Sequence, residues 1–264
     1  MPPGLRTPHT GALRYDDNTP RIPAAAITLE DAERLQRMQD RGTRVVVRLR
    51  MEARLLPDVQ SANVIGEIGG RETPDEVVVV GGHFDSWDVG TGSTDDGGGC
   101  VVTWEALRLM KKLGLRPRRT VRVVLFTNEE NGGRGGQGYL EQYRDQLANH
   151  VMMLESDGGV FRPTGFGFSG SDAARATIEQ IATLLTGIDA QRIGPGGGGA
   201  DIGPSVQAGQ IPAMSPMVEG DYFLIHHTAA DTVDKIDQVD MARNVAAIAV
   251  MAYVVADMPQ RLAR

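Results

Sequence analysis

Acidic and histidine side chains stand directly after three apolar runs in this sequence of 264 residues. The runs and the residues that follow them are 77–80 before His83 and Asp85, 121–126 before Glu129 and Glu130, and 151–154 before Asp157. Because open α/β sheets bind their ligands at the carboxyl ends of strands, we expect these side chains to converge at one edge of a sheet. Imidazole and carboxylate ligands without thiolate suit Zn²⁺, with Co²⁺ or Mn²⁺ as substitutes.

His83 and Asp85 are separated by one residue, so in an extended segment their side chains point the same way. We therefore expect the Asp85 carboxylate to accept the proton on the far ring nitrogen of His83 and to fix its tautomer. This spacing also occurs in many proteins without a metal site, so the interpretation depends on the other motifs.

Asp95 and Asp96 precede three consecutive glycines at the start of a predicted helix. One interpretation is a carboxylate that binds two cations through its two oxygens, with glycines that let the backbone approach closely. The other is an acidic N-cap, because carboxylates stabilise helix N-termini. Both interpretations remain open at this point.

Glu129 and Glu130 are adjacent carboxylates at the end of a predicted buried strand, where they lose solvation and repel each other. The pair is tolerable when a cation neutralises one carboxylate and the other holds a proton or a water molecule. That division of roles matches a metal ligand beside a general base. A solvated turn is the alternative, and it fits poorly after the apolar run 121–126.

Two of the five histidines, His226 and His227, are adjacent and follow the largely apolar residues 222–225. Either one could supply an imidazole ligand, although lone histidines more often have structural roles. His9 and His150 have no comparable setting, and we expect both to be surface residues.

Strand-like and helix-like segments alternate along the chain. The predicted strands are 45–47, 64–68, 77–80, 121–126, 151–154 and 211–214. The predicted helices are 28–38, 98–113, 136–147, 172–186 and 239–257. This alternation predicts an α/β fold, with a mostly parallel mixed sheet covered by helices on both faces in three layers.

The composition excludes several classes of protein. The net charge is -7 and the pI about 5.3, without a dominant basic cluster, so we expect no nucleic-acid partner. The single cysteine, Cys100, excludes an intrachain disulfide. We expect no membrane span, because no apolar run approaches the required length, and no signal peptide is visible. Residues 1–26 lack periodicity and predict a loose lead-in.

The ordered set of metal-type residues resembles the M28 family of zinc peptidases, and within it the carboxypeptidase Q branch. The matching stretches are 82–90, 95–99, 129–133, 155–158 and 254–258. The resemblance implies a catalytic domain at 57–264 with the zinc-peptidase (phosphorylase/hydrolase-like) fold. It also implies that 1–56 form a lead-in and the remnant of a protease-associated-type insert, in a chain truncated at its N-terminus.

The same resemblance implies a ligand set for two zinc ions. Asp95 would bridge the ions, His83 and Asp157 would complete one site, and Glu130 and His227 would complete the other. A cis peptide bond would follow Asp95.

The resemblance also assigns different roles to the two residues of each adjacent pair, Glu129 and Glu130, and His226 and His227. Glu129 would be the general base, with Asp85 beside it in the catalytic machinery. His227 is preferred to His226 because the family's ligand stands four residues before an Asp-Thr pair, here at 231–232. Asp201 would have a supporting role near the cleft.

The function implied by the resemblance is that of a dinuclear zinc exopeptidase acting on dipeptides or short peptides with free termini. A homodimer in a secreted or lysosome-like setting is also implied. The alternatives are a glutaminyl-cyclase-like acyltransferase with one zinc ion, a binding ectodomain on the same scaffold, and a catalytically inert truncated relative.

Overall fold

The computed structural model describes residues 6–13, 15–16, 18–54 and 56–264. Its centre is a seven-stranded mixed sheet with the strand order β1-β3-β2-β4-β7-β5-β6. The strands are Val64–Ile68 (β1), Thr73–His83 (β2), Arg119–Phe126 (β3), His150–Glu155 (β4), Arg162–Ser169 (β5), Arg192–Pro195 (β6) and Ala213–Glu219 (β7). The predicted α/β class with a mostly parallel mixed sheet is therefore confirmed.

The middle of the sheet is parallel and its flanks contain antiparallel pairs. Strand β2 pairs in parallel with β3 and β4, and β4 pairs in parallel with β7. Strands β5 and β6 are also parallel, whereas β1–β3 and β5–β7 are antiparallel. The carboxyl ends of β2, β3 and β4 thus meet at one edge, where α/β folds place their sites.

Helices cover both faces of the sheet. They are Leu29–Asp40 (α1), Gly98–Lys112 (α2), Arg134–Tyr143 (α3), Asp172–Ala182 (α4), Gly203–Gly209 (α5), Tyr222–Ile225 (α6) and Gln238–Asp257 (α7). Val78 and Val80 of β2 pack in one apolar cluster with residues of α2, α4 and α7. Val77 and Val79 pack in a second cluster with residues of α3 and α5. Alternate side chains of one buried strand therefore fill two cores, which gives three layers.

Helix α7 has the length and apolar composition of a membrane span, contrary to the expectation that no apolar run approaches that length. Among the described residues it is the one such helix, and half of it is buried within the fold. Val245, Ile248, Met251 and Val255 are buried on the side that packs against α2 and the sheet. In this structure α7 is thus a core helix.

Several local predictions need correction. The strand predicted at 45–47 is wrong, because Val46 and Val47 are exposed and no described strand pairs with them. A strand requires a neighbour for its hydrogen bonds, whatever its β propensity. Within the predicted lead-in at 1–26, the described residues form no helix or strand, and 1–5, 14 and 17 lie outside the described residues.

Helix α1 begins as expected, with Thr28 Oγ1 accepting from the Asp31 amide at 3.0 Å.

Strands β5 and β6 and helix α5 were not predicted. Gly165 and Gly167 give β5 the composition of a loop, but they allow very close strand packing. A Cβ at Gly165 would lie 1.8 Å from the Arg192 carbonyl oxygen of β6, and its φ of +148° also favours glycine. The domain boundary near residue 56 stays a prediction.

Candidate metal centre

The ends of three neighbouring strands bring the predicted ligands together. His83 is the last residue of β2 and lies beside Phe126, the last residue of β3. Glu155 ends β4, and Asp157 follows two residues later. Glu129 and Glu130 lie in the turn after β3. The parallel register therefore places imidazole and carboxylate groups at one edge, as the sequence predicts.

One group of potential ligands surrounds His83, which is 1% exposed. Its Nε2 lies 3.3 Å from Asp95 Oδ1 and 3.5 Å from Asp157 Oδ1. The ligand atoms of these three residues all lie within 4.8 Å of one another. Their spacing suits a single cation.

A second group surrounds His227. Its Nε2 lies 3.3 Å from Asp95 Oδ2 and 2.9 Å from Glu130 Oε2. The two oxygens of Asp95 thus face different histidines, Oδ1 toward His83 and Oδ2 toward His227. A carboxylate in this position has the geometry to contact two cations, one on each side.

The carboxylates of this centre include oxygens that lack hydrogen bonds. Asp95 Oδ2, Glu130 Oε1 and Asp157 Oδ1 are buried without a hydrogen-bond partner. Asp157 belongs to the His83 group, Glu130 to the His227 group, and Asp95 to both. Unpaired buried carboxylate oxygens are costly unless a proton or a cation compensates their charge. The oxygen and nitrogen donor set fits zinc, so these residues are suited to hold the metal that the resemblance implies.

The histidines and acids of the centre shift one another's pKa values. Burial lowers the pKa of His83, but its contacts with Asp157 and Asp95 outweigh burial and raise the pKa well above its usual range. Burial likewise opposes the charged form of His227, whereas Asp95 and Glu130 raise its pKa to about 10. Despite burial, the same histidines lower the pKa of Asp95. A cation at either imidazole would therefore compete with a proton for the ring nitrogen.

Glu129 and Glu130 face different parts of the centre. Glu130 Oε2 lies 2.9 Å from His227, and its side chain is 7% exposed. Glu129 Oε2 lies 4.0 Å from His83 Nε2, and its side chain is 19% exposed. Burial raises the pKa of Glu129, and the neighbouring acids Asp157 and Glu130 add to this shift. This asymmetry agrees with the assignment of Glu130 as a ligand and Glu129 as a base, which stays a prediction.

The expected hydrogen bond from His83 to the Asp85 carboxylate is wrong. His83 Nδ1 instead lies 2.9 Å from the backbone carbonyl oxygen of Asp85, and the nearest carboxylate oxygen is 3.8 Å away. Strand β2 ends at His83, so the side-chain alternation assumed for the pair stops there. The Asp85 carboxylate accepts from the amides of Glu129 at 3.0 Å and Glu130 at 3.3 Å.

The loop that carries Asp95 is fixed by two buried carboxylates. The Asp231 carboxylate accepts from the amides of Thr94 at 2.7 Å and Asp95 at 3.0 Å. The Asp96 carboxylate accepts from the amides of His83 at 3.0 Å and Gly99 at 3.1 Å. The Asp95–Asp96 peptide bond is cis, as expected. The two open interpretations therefore apply to different residues, since Asp95 faces the histidines and Asp96 caps the first turn of α2.

The remaining histidines differ from the expectation. His226 stacks on His227 with ring centroids 3.6 Å apart, and its Nε2 lies 3.5 Å from Asp95 Oδ2, so it remains an alternative ligand. His150 is 1% exposed rather than a surface residue, with Nε2 2.8 Å from the Tyr139 hydroxyl. Burial lowers its pKa to about 4. His9 lies near His226, with ring centroids 6.2 Å apart.

Two buried acids, Glu155 and Asp201, contact each other and interact electrostatically with His83 of the centre. Glu155 is fully buried and accepts from the amides of Ile202 at 2.8 Å and Asp201 at 3.4 Å. Asp201 is 1% exposed, and both of its carboxylate oxygens lack a partner. Burial, reinforced by Glu155, raises the pKa of Asp201 to about 8. No local pattern predicts this pairing, because the two acids lie 46 positions apart and Glu155 stands in the sequence only as the end of a strand.

Asp201 predicts a pH dependence of stability in the metal-free protein. Its folded pKa of about 8 exceeds the ordinary value of 3.8, so its stabilising contribution is complete below 3.8 and is lost as the pH rises through 8. Between pH 5 and 7 the wild-type free energy of unfolding should therefore fall more steeply with pH than that of Asp201→Asn, by about 1 kcal/mol per pH unit. Urea unfolding in chelator would measure both profiles, with the exposed Asp189→Asn as control. Parallel profiles for wild type and Asp201→Asn would contradict the prediction.

Comparison with known proteins places this geometry in a family. Residues 63–252 match the sequence model of peptidase family M28. This chain belongs to peptidase family M28. The predicted family is therefore confirmed, and its metallopeptidase class agrees with the zinc-type donor set described above.

This M28 chain is similar to curated and solved relatives over nearly its whole length. It is 46% identical to carboxypeptidase Q of Mus musculus over 98% of the chain, and 45% identical to that of Homo sapiens over the same share. A peptidase M28 precursor from Shewanella amazonensis superposes with a TM-score of 0.93, at 35% identity over 98% of this chain and 59% of that one. The chain spans about half the length of the curated relatives it matches, 55% in both cases.

Proposed function

We propose that this chain forms the catalytic centre of a dinuclear zinc exopeptidase that hydrolyses dipeptides or short peptides with free termini. The convergence of His83 and His227 on the two oxygens of Asp95 is the observation that carries this proposal. The unpartnered oxygens of Glu130 and Asp157 beside them support it, because they leave donor positions for cations.

In this proposal Asp95 bridges the two ions. His83 and Asp157 bind one of them, and Glu130 and His227 bind the other. When bound, two zinc ions supply Lewis acidity for the peptide carbonyl and lower the pKa of a water molecule. The names of the curated relatives, which are carboxypeptidases, favour substrates with a free terminus. The homodimer and the secreted or lysosome-like setting stay predictions.

Glu129 is the proposed proton carrier. Its carboxylate lies at the His83 side of the centre and is partly exposed, so it has access both to the site and to an incoming peptide. It would take a proton from the attacking water and deliver it to the leaving amine. Burial raises the pKa of Glu129 above its ordinary value, and a raised pKa makes a carboxylate a better proton acceptor in such an exchange.

Asp85 has a positioning role in this proposal. Its two carboxylate oxygens accept from the backbone amides of Glu129 and Glu130. Its backbone carbonyl oxygen accepts a hydrogen bond from His83 Nδ1. One residue thereby fixes the base, a ligand of one ion and a ligand of the other. Precise placement of such groups contributes strongly to catalytic rates.

Metal removal tests the proposed function. The purified chain should contain two zinc ions by elemental analysis and should hydrolyse members of a dipeptide library. A chelator should abolish hydrolysis and zinc should restore it, because in this proposal the ions supply the Lewis acidity and lower the pKa of the water molecule. Hydrolysis that survives complete zinc removal would refute the proposal. One zinc ion with cyclisation of N-terminal glutamine would favour the acyltransferase, and zinc binding without any turnover would favour a binding or inert protein.

A further inference from the structure

The segment around Thr10 contacts the loop of His227, although the two residues lie 217 positions apart. The Thr10 amide donates to the His227 carbonyl oxygen at 2.9 Å. His227 Nδ1 in turn lies 3.0 Å from the Thr10 carbonyl oxygen. The backbone of one residue thus makes two reciprocal contacts with another, one to its main chain and one to its imidazole.

The second contact decides which nitrogen of His227 carries a proton in the neutral ring. A carbonyl oxygen only accepts, so Nδ1 must be the donor. Nε2 is then left with a free lone pair, and it is the atom that lies 2.9 Å from Glu130 and 3.3 Å from Asp95. The contact with Thr10 therefore selects the tautomer that a cation at Nε2 requires.

His83 and His227 obtain this second contact from different sources. His83 Nδ1 binds the carbonyl oxygen of Asp85, two residues away on the same connection. His227 has a φ of +57°, in a turn after the four-residue helix α6, and its imidazole is 22% exposed. Besides Thr10, the His227 ring contacts His226 by stacking and Trp87 in a T-shaped arrangement. These are contacts between rings, and neither supplies a hydrogen-bond acceptor to Nδ1.

We propose that the Thr10 backbone is a positioning element for His227, and that it raises zinc affinity at the half of the centre formed by Glu130 and His227. This inference rests on the proposed function, because it assumes that His227 binds zinc through Nε2. Thr10 then belongs to the metal centre in space, although it precedes the other residues of the centre by more than 70 positions in sequence.

Two substitutions at one position separate the backbone from the side chain. Thr10→Pro removes the amide that donates to His227 and restricts the backbone, whereas Thr10→Ala keeps both backbone groups. In the full chain, Thr10→Pro should weaken zinc binding at one of the two sites by about 10–100-fold, the range for loss of such supporting contacts. The other site should keep its affinity, and Thr10→Ala should bind like wild type. Competition with a chromophoric chelator would measure both affinities.

Further measurements separate positioning from general stability. The urea midpoint of the metal-free protein should fall only slightly in Thr10→Pro, because the substitution removes one backbone hydrogen bond from a residue outside every helix and strand. Nitrogen-15 NMR of zinc-loaded wild type should show the His227 proton on Nδ1, and a proton on Nε2 would overturn the inference even if Thr10→Pro fails to fold. Equal affinities in Thr10→Pro and wild type, or equal losses in both variants, would also overturn it. Absence of zinc binding by wild type would instead refute the proposed function, and this inference with it.

Discussion

Replacing Glu129 with glutamine is expected to lower kcat/KM for a dipeptide by about 10²–10⁴-fold while most of the zinc stays bound. Glutamine keeps the size and shape of the side chain but cannot accept a proton. Glu129 lies 4.0 Å from His83 Nε2 and makes no ligand-type contact as short as the 2.9 Å between Glu130 and His227. The loss should therefore appear in proton transfer and not in metal content.

The adjacent carboxylate supplies a matched control for Glu129. Glu130→Gln should lose zinc from the site that it shares with His227, so its activity should fall together with its metal content. Elemental analysis and steady-state kinetics on the two variants would separate the roles. Turnover by Glu129→Gln similar to that of wild type would remove Glu129 from the base role, and loss of zinc comparable to that in Glu130→Gln would make it a ligand.

Replacing Asp95 with alanine is expected to remove both zinc ions. Each oxygen of its carboxylate faces a different histidine, so one substitution takes a ligand from both sites. The backbone amides of Thr94 and Asp95 remain bound to Asp231, so the loop keeps its anchor and the loss is confined to the ligand. Elemental analysis after dialysis against a weak chelator should find little zinc, and hydrolysis should be absent.

An exposed acid in the same connection controls for the change in charge. Asp88→Ala removes one carboxylate between β2 and the Asp95 loop, and it should retain two zinc ions and wild-type activity. Full zinc loading of Asp95→Ala would contradict the bridging role. Retention of a single ion would assign Asp95 to one site alone.

The proposed cations are also expected to stabilise the folded state. Asp95, Glu130 and Asp157 meet at a buried edge with few compensating hydrogen bonds, and the metal-free centre relies on protonated His83 and His227. A ligand that binds the folded state more tightly than the unfolded state stabilises it. If the proposed function is right, we expect zinc both to supply the chemistry and to remove an electrostatic cost of folding the site.

Local patterns in the sequence specify the central strands and the edge at which the site forms. Continuous valine-rich runs such as 77–80 are typical of strands buried on both faces, and the polar residues that follow them must emerge at the carboxyl edge. His83, Glu129, Glu130 and Asp157 could thus be placed together from local patterns, and the structure brings them together.

The hydrogen-bond partners of these residues depend on the packing of elements that are distant in sequence. The Asp231 carboxylate accepts from the Asp95 amide, 136 positions away in sequence. Thr10 contacts His227 across 217 positions, and the Asp201 amide donates to the Glu155 carboxylate. Tertiary structure also buried His150 and gave His83 the carbonyl oxygen of Asp85 in place of its carboxylate. Local periodicity reports which face of an element is apolar, but it carries no information about which distant backbone group completes a hydrogen bond. These hydrogen-bond partners are determined by how distant elements pack, because packing brings a particular donor next to a particular acceptor. They can therefore be identified only from the tertiary structure.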